Sequence, residues 1–474
     1  MAKTFMIDDG KNTRLVSELG LPTIPYSEKV QDFEFHDYII KIFDNYDVGK
    51  LIVPVSLGNG GGQFRGLKLA MHLRLTREIG AKRLIPIVLV SDYDFDEIMM
   101  RAKNDYLNLN YLLLTEGVKL VESNATIIKR IVDTIAPILP NKFVSDVLGR
   151  LKIIPTEIIG KHSLANQWGA FRLDEILQTE AFIHNKELLN RQKELYFKYI
   201  RSLNDDLNGL SGTIHSPIST LDSAKNLGKK ILFIDDEADK GWAGVLAKVF
   251  DKADFQFISK NEFSTFYSEA ENKIVTEDWD LILLDLRLNP IEEEKPAFIA
   301  KGDVESYSGT KLLKTIKVQN RGTQVIIFTA SNKAWNMKAL LDLGADGYFI
   351  KESPDTGFSY QFSKENTENL IKTVELCLNK GYLSTIYSRK KTIEAYLYSK
   401  LCSFDDSYDD FLMELNTQIN ISYDLLYSAK SSINFVYAYL SLYKFLELIG
   451  NTIVPAFGPC LTSNSTLSPS FRVR

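Results

Sequence analysis

The sequence predicts an α/β protein built on a doubly wound parallel sheet. The prediction rests on four mostly apolar runs, each of which ends in polar residues. Amphipathic segments separate the runs, and this alternation is typical of parallel sheets. The runs with their polar ends are Ile231–Ile234 with Asp235 and Asp236, Leu281–Leu284 with Asp285, Gln324–Phe328 with Thr329, and Gly347–Ile350 with Lys351. Because ligands bind at the carboxyl ends of strands in open α/β sheets, we expect these polar side chains to form one site.

The residue types at these strand ends predict a site for Mg²⁺ and a phosphoryl group. Neighbouring carboxylates disfavour joint ionisation unless a cation lies between them. Mg²⁺ prefers a few carboxylates together with water and phosphate oxygens. The acidic group Asp235, Asp236 and Asp285 supplies the carboxylates, and Thr329 and Lys351 supply a hydroxyl and an ammonium.

The ordered set resembles the receiver domain of response regulators, which has the CheY-like, flavodoxin-like fold. The resemblance covers about residues 229–380, and we expect the domain to span 228–380. Ser308–Thr310 opens an amphipathic segment at the start of the family's third helix. Leu343–Tyr348 is similar to the "GADGY" approach to the lysine strand. The resemblance therefore implies a phosphoacceptor domain.

The resemblance also implies a role for each site residue. Asp235 and Asp236 would bind Mg²⁺, and Asp285 would be both a ligand and the nucleophile that forms an acyl phosphate. The implied remaining roles are a backbone carbonyl ligand at Arg287, a phosphate-binding ammonium at Lys351, a hydroxyl donor at Thr329 and an aromatic switch at Tyr348. Acidic strand ends are also common as solvated loop starts, and an aromatic such as Tyr348 is more often a core residue.

The segment between Asp285 and Ser308 is longer than in ordinary receivers. Loops beyond about 12–15 residues are uncommon in compact domains and tend to be functional or disordered. Glu292–Glu294 would bring negative charge near the site and could disfavour donor approach, gate the site or contact a partner. A solvated flexible loop is an equally good interpretation.

Composition points to a globular protein of about three domains. The chain has 474 residues, of which 45% are apolar and 25% charged, with a formal net charge of −5. This charge gives no reason to expect nucleic-acid binding. Three scattered cysteines without metal-ligand spacing fit a reducing cytoplasm. No secretory segment and no apolar run of membrane-spanning length is present, so we expect a cytoplasmic protein.

Residues 1–155 read as a degenerate copy of the receiver. Phe5–Asp9 resembles Phe233–Asp236, and Lys50–Ser56 takes the place of the Asp285 strand. We also expect Arg83–Ser91 to correspond to the Thr329 strand and Asn110–Thr115 to correspond to the Lys351 strand. On this alignment Val55 or Ser56 replaces the nucleophile and Thr115 replaces the lysine, so the copy cannot be phosphorylated in the same way. We interpret it as a pseudo-receiver that serves assembly.

A glycine-rich turn, Gly58–Gly66, follows the second of these strands. Such a turn can bind phosphate through backbone N–H groups. It matches neither the dinucleotide-binding nor the P-loop pattern, and a flexible turn is the better interpretation. Arg65 could bind an anion, although a lone arginine usually faces solvent.

The remaining regions are predicted to be helical. Residues 156–227 form a helical connector with a polar linker after Asn204, and residues 381–474 form a tyrosine-rich helical module with a disordered tail. The C-terminal region carries eight basic and eight acidic residues and shows no helix-turn-helix signature. Its aromatics, at helical spacing, are expected in a core or against a partner.

These features favour a response regulator of a two-component phosphorelay as the first hypothesis. The phosphoryl donor would be a histidine kinase, a phosphotransfer protein or a small phosphodonor, with Mg²⁺ as the cofactor. The output would be protein–protein contact through the helical regions, with a homodimer as one form, and the protein would be no enzyme beyond its own phosphorylation and dephosphorylation. Two alternatives remain open: a phosphorylation-independent scaffold, and an effector with an unrecognised C-terminal activity. By analogy, paired degenerate and intact receivers also resemble bacterial signalling and anti-phage conflict systems.

Overall fold

The computed structural model of the protein contains two five-stranded parallel sheets joined by helices. The structure describes residues 3–456 with gaps, which are residues 60–62, 104–107, 156–159, 205–217, 219–220, 260–261, 294, 296–297, 299–302, 320, 331–333, 355–356, 402–408 and 429–431. Most of the predicted linker and the predicted disordered tail therefore lie outside the described residues.

The first domain is a doubly wound sheet with the strand order β2-β1-β3-β4-β5. Its strands are β1 Lys3–Asp8, β2 Thr23–Pro25, β3 Val48–Pro54, β4 Ile87–Ser91 and β5 Val118–Glu122. Its helices are α1 Thr13–Leu19, α2 Asp32–Asn45, α3 Arg65–Leu75, α4 Phe95–Lys103 and α5 Ala125–Thr134. All strand pairs are parallel, with helices packed on both faces.

The predicted fifth strand of this domain is wrong. Asn110–Thr115 falls on a 3-10 helix, Leu109–Leu114, and the strand follows at Val118–Glu122. The apolar 3-10 helix packs its Leu109 and Leu112 side chains into the core. The real strand lies at the sheet edge, where Lys119 and Glu122 face solvent, so it lacks the continuous apolar run of a central strand.

Residues 160–204 of the connector contain the helices α6 Lys161–Leu177, α7 Lys186–Gln192 and α8 Leu195–Asn204. Helix α6 contributes Trp168 and Phe171 to the core on one face of the second sheet. Helix α8 belongs to both domains, because Leu195 packs into the first core and Phe197 into the second. The connector is therefore a packed layer between the sheets.

The second domain repeats the strand order of the first, here β7-β6-β8-β9-β10. After helix α9 Ser223–Asn226, its strands are β6 Lys230–Ile234, β7 Asp254–Ile258, β8 Leu281–Asp285, β9 Gln324–Thr329 and β10 Gly347–Ile350. Its further helices are α10 Trp242–Val249, α11 Phe263–Thr276, α12 Pro290–Glu293, α13 Ser308–Gln319, α14 Ala334–Asp342 and α15 Tyr360–Leu378. This order and the packed faces are the flavodoxin-like fold that the sequence predicts.

The C-terminal module consists of three long helices, α16 Tyr382–Leu401, α17 Asp409–Tyr427 and α18 Ser432–Ala456. Leu397, Leu415 and Phe445 form part of its small core. The module meets the second domain where Lys317 Nζ lies 2.8 Å from the Tyr427 hydroxyl. Among the described residues, no helix combines the length and apolar character needed to cross a membrane.

Candidate functional site

The predicted polar residues meet at the carboxyl edge of the second sheet. Asp235 and Asp236 follow β6, Asp285 ends β8, Thr329 ends β9 and Lys351 follows β10. Neighbouring strands are in matching register, with Ile234 beside Leu284 and Ile350 beside Thr329. The central strands β6, β8 and β9 are buried and apolar, so these polar groups come together where the strands end, and Asp235, Asp285, Thr329 and Lys351 are themselves buried there.

Lys351 joins two of the carboxylates. Its Nζ lies 2.6 Å from Asp235 Oδ2 and 3.0 Å from Asp285 Oδ2, and all three side chains are buried. Burial alone would lower the pKa of Lys351, but the two carboxylates raise that pKa above its usual range. The lysine is therefore a fixed positive charge between two acids.

The third carboxylate, Asp236, is next to two other acids. Burial and the charges of Asp235 and Asp285 raise the pKa of Asp236 to about 9. Oxygen atoms of these three aspartates lie within 4.8 Å of one another, close enough to bind one cation together. A divalent cation would relieve this repulsion, and the all-oxygen donor set suits Mg²⁺.

The other residues implied by the resemblance occupy places around this cluster. Thr329 is buried, and its backbone carbonyl accepts a 2.7 Å hydrogen bond from the Lys351 amide. Tyr348 on β10 points outward with 42% of its surface exposed, so it is not a core residue here. Arg287 lies two residues beyond the end of β8, where the resemblance implies a carbonyl ligand.

The long segment after Asp285 turns one of its acids inward. Glu293 is buried, and its carboxylate accepts hydrogen bonds from the Ser308 amide at 2.6 Å and the Ser308 hydroxyl at 3.1 Å. Burial raises the pKa of Glu293. Glu292 is exposed and pairs with Lys295 at 2.7 Å, and Glu294 lies outside the described residues. Glu293 therefore anchors this segment to the start of α13.

A contact from the connector reaches the site, and sequence analysis missed it. Asn166 on α6 is buried, and its Oδ1 lies 3.5 Å from Lys351 Nζ. The sequence predicts a helix here, but nothing in its pattern places the helix against a sheet edge more than sixty residues later.

The first domain can be compared with the second at the positions that correspond to the site. A Cβ on Gly309 would lie 2.1 Å from the carbonyl oxygen of Asp285, and a Cβ on Gly66 would lie 2.0 Å from that of Pro54. Pro54 is therefore the counterpart of Asp285, and the predicted counterparts Val55 and Ser56 are wrong. The apolar run continues through Val55, so the sequence carries no polar residue to mark the strand end.

Strand register assigns the other counterparts. Ser91 pairs with Glu122 in the first sheet, as Thr329 pairs with Ile350 in the second. The next residue, Ser123, therefore takes the place of Lys351. The predicted counterpart, Thr115, is wrong. The expected match of Asp8 and Asp9 with Asp235 and Asp236 agrees with the register. Asp8 Oδ1 accepts from the Gly10 amide at 2.9 Å, just as Asp235 Oδ1 accepts from the Glu237 amide at 2.9 Å. The first domain retains the acidic pair without a nucleophile or a lysine.

The glycine-rich turn of the first domain is tied to this acidic pair. Asp9 Oδ2 accepts from the Gly58 amide at 2.9 Å, and Lys11 Nζ donates to the Gly58 carbonyl. Arg65 is buried and forms an ion pair with Glu28, contrary to the expectation that it faces solvent. Residues 60–62 of the turn lie outside the described residues.

Comparison with known proteins agrees with this division. Residues 3–121 match the family described as the inactive receiver domain. No curated protein matches the chain.

Solved structures similar to the chain include receiver domains. A CheY-like receiver domain protein from Methanospirillum hungatei is 19% identical, covering 33% of this chain and 97% of its own, with a TM-score of 0.23. The receiver domain of the Francisella response regulator 1452 is 25% identical, covering 31% and 99%, with a TM-score of 0.21. A Burkholderia pseudomallei response regulator with a phosphorylated aspartic acid, a calcium ion and citrate is 17% identical, covering 34% and 86%, with a TM-score of 0.20.

Both sheets of the chain have the 2-1-3-4-5 strand order of the flavodoxin-like fold, and residues 3–121 are similar to the inactive receiver domain.

Proposed function

We propose that the chain is a cytoplasmic response regulator whose second domain accepts a phosphoryl group on Asp285 with the help of Mg²⁺. One observation carries the proposal: three carboxylates with oxygens within 4.8 Å of one another share a sheet edge with the buried ammonium of Lys351. The donor would be a histidine kinase, a phosphotransfer protein or a small phosphodonor. The first domain, which lacks the nucleophile and the lysine, would serve assembly.

The proposed step is a displacement at phosphorus. A carboxylate oxygen of Asp285 attacks the phosphorus of a phosphohistidine, a P–O bond forms and the P–N bond breaks. The electron pair of the broken bond stays on the imidazole nitrogen of the donor, which takes up a proton. Lys351 and Thr329 would bind two of the phosphoryl oxygens, and the lysine would give up part of its contact with Asp285.

Asp235, Asp236 and Asp285 are the residues that would hold Mg²⁺. The raised pKa of Asp236 supports this fit, because a bound cation would offset both the burial and the repulsion from Asp235 and Asp285 that favour the protonated form. When bound, Mg²⁺ would neutralise the negative charge that the phosphoryl group brings to the site.

A direct test is phosphorylation by a small acyl phosphate, read as a mass increase of one phosphoryl group on the intact chain. Wild type should be labelled only with Mg²⁺ present, and Asp285→Asn should not be labelled. Asp9→Asn, at the counterpart of Asp236 in the first domain, is the matched control and should be labelled like wild type. Equal labelling of wild type and Asp285→Asn would contradict the proposed site. No labelling of any of these proteins would favour the phosphorylation-independent scaffold.

The C-terminal helix α18 presents an exposed apolar surface. Nine of its large apolar side chains are 40–68% exposed, namely Ile433, Phe435, Val436, Tyr437, Tyr439, Leu440, Leu442, Tyr443 and Leu446. Its only charged residues are Lys444 and Glu447. Such side chains together present on the order of 1,000 Å² of surface, since a large aromatic alone offers roughly 150–250 Å².

We propose that a second copy of the chain covers this surface. Monomers rarely expose apolar patches beyond a few hundred Å². The area matches the roughly 800 Å² that each partner buries in a stable interface. The surface is also nearly uncharged, as expected for a face that pairs with its own copy.

Light scattering after size-exclusion chromatography tests this second copy. Wild type should elute as a dimer, and Tyr439→Asp with Tyr443→Asp should shift it to the monomer. Tyr396→Asp, at an exposed tyrosine of α16, is the control and should leave the dimer intact. A monomeric wild type would refute self-association and would point to a different partner for α18.

A further inference from the structure

We propose that Asn166, on connector helix α6, is a positioning residue for the acidic site of the second domain. The inference rests on the phosphoacceptor function proposed above. It assigns part of the site to a helix outside the receiver-like domain, so that the connector and the site depend on each other.

Asn166 makes polar contacts to three different parts of the second domain. Its Nδ2 donates to Glu237 Oε2 at 2.9 Å, and its Oδ1 accepts from Trp242 Nε1 at 3.1 Å. The same Oδ1 lies 3.5 Å from Lys351 Nζ. Asn166 is only 3% exposed, and its contacts with Trp242 and Lys351 are buried, whereas the Glu237 carboxylate is partly exposed.

The contact with Glu237 fixes the turn that carries the acidic pair. Ser163 Oγ, one helical turn before Asn166, donates to Glu237 Oε1 at 2.5 Å. The backbone amide of Glu237 in turn donates to Asp235 Oδ1 at 2.9 Å. Two side chains of helix α6, Ser163 and Asn166, therefore hydrogen-bond to Glu237, and the Glu237 amide in turn orients the Asp235 carboxylate.

The helix packs closely against the elements that carry the site. A Cβ on Gly169 would lie 2.6 Å from the Trp242 ring and 3.0 Å from the carbonyl oxygen of Glu352. Further along, Arg172 Nε donates to Ser363 Oγ at 3.2 Å, and Ser363 Oγ donates to Glu352 Oε2 at 2.7 Å. Glu352 directly follows Lys351, so α6 also contacts the turn that carries the lysine.

An amide is well suited to this position. The Glu237 carboxylate needs a donor, whereas the Trp242 N–H and the Lys351 ammonium need an acceptor. A side chain of similar size without polar atoms would remove the acceptor of the buried Trp242 N–H and one donor to the Glu237 carboxylate, which is costly. Removing residues that orient metal ligands typically lowers metal affinity about 10–100-fold.

The experiment measures the dissociation constant of Mg²⁺ alone by calorimetry on the full chain. Asn166→Leu should bind Mg²⁺ at least fivefold more weakly than wild type. Gln167→Leu, which alters the next buried amide of α6, should stay within twofold. The indole N–H resonance of Trp242, assigned with Trp242→Phe, should move when Mg²⁺ is added to wild type, because Asn166 connects Trp242 to the site.

Each outcome supports or overturns the inference. Unchanged Mg²⁺ affinity in Asn166→Leu, with wild-type binding intact and Asp285→Asn weakened, would overturn the role of Asn166 and leave the proposed function standing. Absence of Mg²⁺ binding to folded wild type would overturn both. If Asn166→Leu does not fold, Ser163→Ala tests the contact of α6 with Glu237 instead, since it removes only the hydroxyl that donates to Glu237. It should weaken Mg²⁺ binding at least twofold, and an unchanged affinity would overturn the inference.

Discussion

At the scale of single residues, Lys351 is the centre of the site. It lies between two buried carboxylates that would otherwise repel each other, at 2.6 and 3.0 Å. Breaking a buried ion pair by removing one partner is strongly destabilising because the remaining charge stays buried. The lysine therefore supports both the folded state and the proposed chemistry.

Replacing Lys351 by Met should lower the free energy of unfolding by about 3–5 kcal/mol. Mg²⁺ should restore a larger part of the stability in this variant than it adds to wild type, because the cation neutralises the same carboxylates. Urea unfolding with and without Mg²⁺ measures both effects. Lys314→Met, which removes the exposed Lys314–Glu305 pair, should cost less than about 1 kcal/mol. A Lys351→Met variant as stable as this control would contradict the account.

Residues that interrupt an apolar strand could be predicted from the sequence, and residues that act from a distant element could not. Asp285 and Lys351 stand out because each ends a buried run. Pro54 does not, because the apolar pattern continues beyond it, and only the strand register identifies it. Asn166 sits in an ordinary helical pattern, and its place beside Lys351 depends on how α6 packs against the second sheet.

At the scale of elements, both domains require one close approach between a helix and a strand. Helix α13 begins against the end of β8, and helix α3 begins against the end of β3. In both cases a glycine leaves no space for a Cβ beside the strand carbonyl. This shared detail is clearer evidence that the two domains have the same fold than the similarity of their sequences.

Gly309→Ala should destabilise the second domain by about 3 kcal/mol or more, because its Cβ would overlap the carbonyl oxygen of Asp285. Gly66→Ala should do the same to the first domain. Gly450→Ala, in helix α18, is the control: apart from the neighbouring helix backbone, no atom of the described residues lies within 4 Å of the added Cβ, and the change should stabilise the chain by up to about 1 kcal/mol. Thermal unfolding compares the three, and a neutral Gly309→Ala would show that the two elements are not packed this closely.

At the scale of the whole molecule, the connector binds the first domain through buried titratable groups. Lys198 on α8 donates to Thr76 Oγ1 at 2.5 Å and lies 3.1 Å from His72 Nδ1. Burial lowers the pKa of Lys198 to about 7. Burial and the Lys198 charge lower the pKa of His72 to about 3 and that of His36 to about 4.

These histidines should make the folded chain sensitive to acid. The pKa of both histidines is near 6.5 in the unfolded chain. The unfolded chain therefore binds protons that the folded chain does not bind, between pH 6.5 and about 4 for His36 and between pH 6.5 and about 3 for His72. The stability they contribute is complete above pH 6.5 and is lost as the pH falls through this window. The midpoint of thermal unfolding should therefore drop from pH 7 to pH 4.5.

The combined variant His36→Gln and His72→Gln should flatten this pH dependence, although it also changes stability at pH 7. His184→Gln, at an exposed histidine, should follow the wild-type curve. If the double variant retains the full wild-type slope, the acid sensitivity has another source.

A titration of beryllofluoride with Mg²⁺, read by the midpoint of thermal unfolding, tests whether Asp285 is a phosphoacceptor. Beryllofluoride mimics an acyl phosphate without a kinase. We expect saturable, Mg²⁺-dependent stabilisation of wild type and of the control Asp9→Asn, and none of Asp285→Asn. Equal responses of wild type and Asp285→Asn, or no response of wild type, would contradict the claim that Asp285 is a phosphoacceptor.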